Sequence, residues 1–367
     1  MNRAYIIVDN LKIGGYQRLS LDQAYALSDL GFMVSIIVLS PKGQWDSAKI
    51  EAADLSQKSI QLVESGSTRS SIFKTLVKRI PPSENDALII SHSLRATFAL
   101  RFMKILLGRR FTINTTLHQL PRLSHFSQRL KRFIYSQFSD NLFCFSRAAE
   151  MDWYSQFGDK FEFWTTNFSK KMHLMRNGVY LGRLSHDMKS LETKTSPRII
   201  YLGRLSFWKG LDTIKMMAKS RELDEFDFVL MVPAIKPEDL AELSGLLGTR
   251  LTVIEGKSVA SFSSQKGDVH IYPANYGNEV KVIESISLNC LEMCAMGVPS
   301  VVTAGGLVTW PELSDCGLVQ EVDWSNIKEI ERVIRLSRLV KLSVSEQTRI
   351  TQLVDINRQI ERYLKSI

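Results

Sequence analysis

The chain has 367 residues, 44% of them hydrophobic and 23% charged, with 20 Gly, 10 Pro and a formal charge of +9. That composition excludes a disordered or collagen-like chain, and at this length one hydrophobic core usually splits, so two domains are expected. No apolar run reaches the ~18 residues of a membrane-spanning helix, and Met1–Asp9 turns acidic too early for a secretory leader, which favours a cytoplasmic protein.

In chain order, short β-branched runs alternate with helical stretches. Strands are expected at Tyr5–Val8, Val34–Leu39, Gln61–Val63, Ala87–Ser91, Phe111–Asn114 and Asn141–Phe145, with a helix over Arg18–Leu30 that Gly31 ends. Runs of apolar residues without polar alternation suit strands buried on both faces, hence a parallel sheet flanked by helices. After a polar stretch, Leu184–Pro197, the pattern begins again. Strands are expected at Arg198–Tyr201, Phe226–Val232, Val269–Tyr272 and Ser300–Thr303, with a helix from Gly210. The last twenty or so residues read as one helix, and nothing local assigns it to a domain. The fold class is therefore α/β, two doubly wound domains.

Charge is unevenly spread. Residues 1–175 hold 23 Lys and Arg against 14 Asp and Glu, whereas residues 176–367 hold 24 against 24. Ala87–Ser139 contains nine basic residues and no acidic one. A one-sided positive field concentrates polyanions or an anionic membrane surface near one domain. Within it, Arg122, Arg129, Lys131 and Arg132 interleave with apolar residues at helical spacing, the pattern of a segment lying on an anionic membrane surface. The four cysteines have no Cys-x-x-Cys spacing. Cys290 and Cys294 are one helical turn apart but lack the further ligands a zinc site needs, so reduced, buried thiols are expected.

Several segments sit where doubly wound sheets gather ligands, at the carboxyl ends of strands. Gly14-Gly15 opens the first helix, where free N–H groups and the helix dipole favour an anion, although a plain turn explains the pair equally well. His92 and His118 each end a strand; both can be structural, and His118 follows the stronger strand. Gly203-Arg204 leaves the strand at 198–201, and Lys209 follows five positions on. Such cations can clamp a diphosphate, or they can be two surface charges. Downstream, Ser287 is placed to cap a helix that Gly297 and Pro299 stop. Glu292 falls in an otherwise apolar stretch of that helix, where a carboxylate is expensive without a cation or hydroxyl partner.

Taken together these segments resemble the family 4 retaining glycosyltransferases. Glu284-Ser-Ile-Ser-Leu-Asn-Cys-Leu-Glu292 matches the family's spaced pair of Glu, and Met296-Gly-Val-Pro-Ser-Val-Val-Thr303 its following stretch. Gly203-Arg204-Leu205…Lys209-Gly210, Gly14-Gly15…Arg18, Ser146-Arg147 and Asn177-Gly178-Val179 resemble its other marks, collinear along most of the chain. The resemblance implies the GT-B architecture, two Rossmann-like domains facing across a cleft. Residues 1–176 would form the acceptor domain, which a terminal helix over 346–367 could join. Residues 177–197 would form a linker and 198–345 the nucleotide-sugar domain.

The resemblance also implies roles. Arg204 and Lys209 would hold the donor diphosphate beside Gly203. Glu284 would meet the transferred sugar and Glu292 the ribose. Backbone N–H groups of Ser285, Ile286, Ser287 and Leu288 would face the diphosphate. Gly14 and Gly15 would leave room for substrate, and His118 would lie over the donor sugar. The expected partners are a nucleotide-sugar donor, a UDP-sugar by family preference, and a glycan or lipid-linked acceptor in cell-surface polysaccharide or lipopolysaccharide assembly. No metal, cofactor or nucleic acid is expected. The chain departs from the family at Ser285 and Ser287, where Gly is common, and at Tyr180, where Asp is usual. The competing readings are a nucleotide-sugar epimerase or hydrolase on the same fold, a relative without activity, and a basic nucleic-acid-binding protein. Against the last, no nucleic-acid module is recognisable.

Overall fold

The computed structural model describes residues 2–12, 14–40, 55–66, 68–82, 86–117, 137–145, 171–184, 196–206, 209–256, 262–274 and 286–366. The chain divides into two compact units, Met1–Tyr180 with Ile356–Ile367, and Leu181–Asp355.

In the first unit, β1 (Arg3–Val8), β2 (Met33–Val38), β3 (Ile60–Glu64), β4 (Leu88–Ser91), β5 (Thr112–Leu117), β6 (Asn141–Cys144) and β7 (Met172–Leu174) form one sheet. Its order is β3-β2-β1-β4-β5-β6-β7, with every pair parallel. In the central register Ile6 stands beside Ile36 on one side and Ile90 on the other. Ala4 to Val8 are all buried, which is why this strand reads as an unbroken apolar run. Helix α1 (Gly15–Asp29) follows β1 and ends before Gly31, whose φ of +84° is the left-handed geometry that closes a helix. Thr68 caps α2 (Arg69–Arg79) and Ser93 caps α3 (Leu94–Leu107), each by accepting a backbone N–H.

The second unit opens with the short helix α4 (Leu181–Leu184). It then builds a six-stranded sheet from β8 (Arg198–Leu202), β9 (Asp227–Val232), β10 (Leu251–Glu255), β11 (Val269–Tyr272), β12 (Ser300–Thr303) and β13 (Val319–Val322). The order is β10-β9-β8-β11-β12-β13, again all parallel. Both sheets thus reverse direction beside their first strand, the Rossmann order with a switch point between first and fourth strands. Helices α5 (Leu211–Ala218), α6 (Pro237–Leu247), α7 (Leu288–Ala295), α8 (Pro311–Asp315) and α9 (Ile327–Ser337) complete the crossovers. The core gathers Ile199, Tyr201, Phe228, Leu230, Ile271 and Val301 from the sheet, with Ile214, Leu243 and Ile334 from the helices. Each such side chain contributes about 1.5–3 kcal/mol by leaving water. A bidentate pair anchors the start of β8: Arg198 donates from Nε and Nη2 to Asp268 over 2.9 and 2.6 Å.

The expected central strands are all present. The strands that the sequence reading lacked, β7, β10 and β13, lie at sheet edges. The expected single terminal helix is two: α10 (Val344–Val354) and α11 (Ile356–Ser366). Between them Asp355 is extended, and Ile356 donates its N–H to the Val179 carbonyl at 3.0 Å. The first of these helices belongs to the second unit and the other to the first. The four cysteines are free thiols, and Cys316 is half-buried where burial was expected.

Candidate functional site

The second unit's switch point is the place where β8 and β11 end side by side. After β8, Gly203 adopts φ +130° and donates its N–H to the Met231 carbonyl. Buried Tyr201 donates its hydroxyl to the Arg204 carbonyl at 2.7 Å. Burial pushes that phenol well above its ordinary range, so it stays a donor and fixes the turn. The Arg204 side chain is exposed. Gly210 then takes φ +82°, packed so tightly that a Cβ would stand 2.2 Å from the Pro273 carbonyl oxygen. This contact brings Lys209 to β11, where Nζ donates to the Tyr272 hydroxyl and lies 4.9 Å from the ring centroid.

Helix α7 is joined to the same corner. Ser287 caps it by accepting the Cys290 N–H at 3.2 Å, as its sequence position led us to expect. Ile286 and Leu288 are buried on either side of the cap. Asn289 donates to the Leu202 carbonyl at 2.9 Å, so the N-terminal turn of α7 is tied to the end of β8 beside Gly203. Thr303, ending β12, donates to the Ala274 carbonyl at 2.7 Å and holds the chain leaving β11. The corner therefore combines two cations, a glycine turn and a positive helix terminus. That arrangement can bind a diphosphate by point charge, guanidinium fork and backbone N–H groups.

Glu292 lies on the next turn of α7 and is fully buried. It has the cation its burial demands: Arg183 of α4 donates from Nη2 to Oε1 at 2.8 Å. The sequence reading missed Arg183, Asn289 and Tyr272. Arg183 fell in what read as a linker, whereas Tyr272 ends a recognised strand and could have been found by asking what lies beside Gly203 at the switch point.

In the first unit, Gly14 is the extended N-cap of α1 and Gly15 its first residue, with open space where a Gly15 side chain would project. The neighbouring strand ends are cross-linked. Ser93 donates to Asp9 at 2.8 Å and Arg95 to the same oxygen at 2.7 Å, while Gln17 donates to Asn10 at 3.0 Å. His92 is buried with Nε2 2.8 Å from the Gln23 side-chain oxygen, a partner that serves the structural reading of this residue. His118, Glu284, Ser285, Arg122, Arg129, Lys131 and Arg132 lie outside the described residues.

No family model matches the chain, and no curated protein matches it. Solved structures match over its full length. HepE of Anabaena, in complex with UDP-glucose, is 16% identical with a TM-score of 0.66, covering 100% of both chains. A glycosyltransferase of Rickettsia africae is 14% identical with a TM-score of 0.69, covering 99% of this chain and 97% of that one. The lipopolysaccharide outer core galactosyltransferase WaaB is 13% identical with a TM-score of 0.63, covering 100% and 99%. The chain has the fold of these glycosyltransferases, two Rossmann-like units of the GT-B class, and the resemblance read from its motifs pointed to the same group. Among the described residues no helix is long and apolar enough to cross a membrane.

Proposed function

We propose that this protein transfers a sugar, with retention at the anomeric carbon, from a nucleotide-sugar donor to a glycan or lipid-linked acceptor. The observation that carries the reading is the corner at the second switch point. There Gly203, Arg204 and Lys209 meet the capped N-terminus of α7, tied together by Asn289 and Leu202. Anabaena HepE, with the same fold, binds UDP and UDP-glucose, which favours a UDP-sugar here. Arg204 and Lys209 take the donor diphosphate, with the N–H groups around Ser287 and Leu288. Glu284 and Ser285 take the sugar and phosphate, while Glu292, buried against Arg183, steadies the turn of α7 that follows the cap. Gly14, Gly15 and His118 serve the substrate from the first unit, which receives the acceptor.

In the reaction the bond between the anomeric carbon and the phosphate oxygen breaks through an oxocarbenium-like state. The acceptor oxygen bonds to the same face, and its proton passes to the departing phosphate oxygen. Arg204 and Lys209 stabilise the charge gathering on that phosphate, each worth about 3–4 kcal/mol when preorganised. The side chains and helix terminus do this without a metal. Assembly of a cell-surface polysaccharide is the setting that fits a lipid-linked acceptor.

The test is to follow slow donor cleavage by proton NMR, with and without a chelator, using α-linked UDP-sugars. The α-anomer released first, unaffected by the chelator, supports the reading. The β-anomer first, or a covalent sugar adduct trapped with a fluorinated donor, overturns the stereochemical course.

A further inference from the structure

Helix α3 carries an apolar face that the first unit leaves uncovered. Its buried side, Ala96, Ala99, Leu100 and Met103, joins the core. The opposite side exposes Phe98 at 45%, Phe102 at 46%, Ile105 at 65% and Leu106 at 60%. Positions 98, 102, 105 and 106 follow helical spacing, so these four form one stripe. The stripe is stiff: Phe98 and Phe102 stack at 5.9 Å, and Phe138 and Phe73 meet them edge-on. Exposing this much apolar surface costs free energy that a monomeric protein rarely tolerates without use.

Charge around the stripe identifies what covers it. Helix α3 carries Arg95, Arg101 and Lys104 and no acidic residue, and Arg109 and Arg110 follow its end. Helix α2, which meets α3 through the contact of Phe73 with Phe102, carries Arg69, Lys74, Lys78 and Arg79, again without an acid. Asp9 and Asp140 engage Arg95, Arg101 and Lys104. No ion pair among the described residues engages Lys74, Lys78, Arg79 or Arg110. Two copies stacked through this face would bring like charges together. A bilayer offers both missing partners, acyl chains for the stripe and anionic headgroups for the cations.

We infer that α3 is a docking face for anionic membrane, with Phe98, Phe102, Ile105 and Leu106 entering the interface and the cations of α2 and of the α3 terminus meeting headgroups. The inference stands apart from the sugar-transfer reading, and a failure of either leaves the other intact.

The experiment is flotation of the full chain with vesicles of equal parts phosphatidylcholine and phosphatidylglycerol, and with phosphatidylcholine alone. The expected result is binding to the mixed vesicles only. Partition should fall about tenfold or more in F102S/I105S/L106S and in K78E/R79E/R110E. Lys78, Arg79, Ile105, Leu106 and Arg110 are exposed, and Phe102 gives up only its ring contacts with Phe98 and Phe73, so both variants should stay folded, with melting temperatures within a few degrees of wild type. A Phe102→Trp variant should shift its emission to the blue on the mixed vesicles and be quenched by brominated lipid. Equal flotation of wild type and both triple variants overturns the inference. So does a wild-type dimer in sedimentation that F102S/I105S/L106S abolishes, which would make the stripe a self-interface.

Discussion

Arg183 and Glu292 are 109 positions apart in the chain and joined by one hydrogen bond of 2.8 Å, Nη2 to Oε1. The carboxylate is fully buried, while about a quarter of the arginine side chain meets solvent (24%). The pair ties α4, the first element of the second unit, to the helix whose capped N-terminus forms part of the switch-point corner. Removing the cation strands a buried carboxylate, which is the costly way to break such a pair. Arg183→Ala should therefore lose about 2–3 kcal/mol in urea unfolding, below the full buried-pair range because of that solvent contact. Adding Glu292→Gln should recover at least half of the loss, since a neutral amide is cheaper to bury. Purely additive effects would show that the two side chains are not coupled.

Gly210 sets the position of Lys209 through backbone geometry. Its φ of +82° and the 2.2 Å approach to the Pro273 oxygen leave no room for a methyl group. Gly210→Ala should cost at least about 2 kcal/mol, from left-handed strain and displacement of Pro273. The displaced residue adjoins Tyr272, so donor affinity should fall as well. Thermal melting and UDP titration of the same preparation check both effects.

His173 supplies a pH dependence. The ring stacks on Phe143 with centroids 5.1 Å apart, and burial lowers its pKa below the ordinary imidazole value. The folded state thus binds this proton less readily than the unfolded chain. By linkage, stability is full above the ordinary value of about 6.5 and declines as pH falls below it. His173→Phe keeps the stack and removes the proton site. The variant should lose less melting temperature than wild type between about pH 7 and pH 5. Parallel melting curves would contradict the assignment.

Much of this architecture is legible in the chain because the central strands are buried on both faces. Ile199–Leu202 and Phe228–Val232 are unbroken apolar runs, and both are strands. Edge strands escape the same reading. Leu251–Glu255 is only half-buried, and in Val319–Val322 the polar Gln320 and Glu321 interrupt the apolar run. The break at Asp355 was hidden because it depends on the distant Val179 carbonyl rather than on a local Gly or Pro. Within the site, the Ser287 cap follows from local chemistry and was readable. The Arg183–Glu292 and Lys209–Tyr272 pairs join separate elements, and only the fold reveals them.

The diphosphate site proposed for the second unit rests on Arg204 and Lys209. Calorimetric titration of UDP into wild type and Arg204→Ala/Lys209→Ala tests it directly. Saturable binding of one UDP per chain is expected, weakened about a hundredfold or more in the double variant, whose free form should lose only about 1–3 degrees of melting temperature with the Lys209–Tyr272 contact. Equal affinity in the two proteins would contradict it.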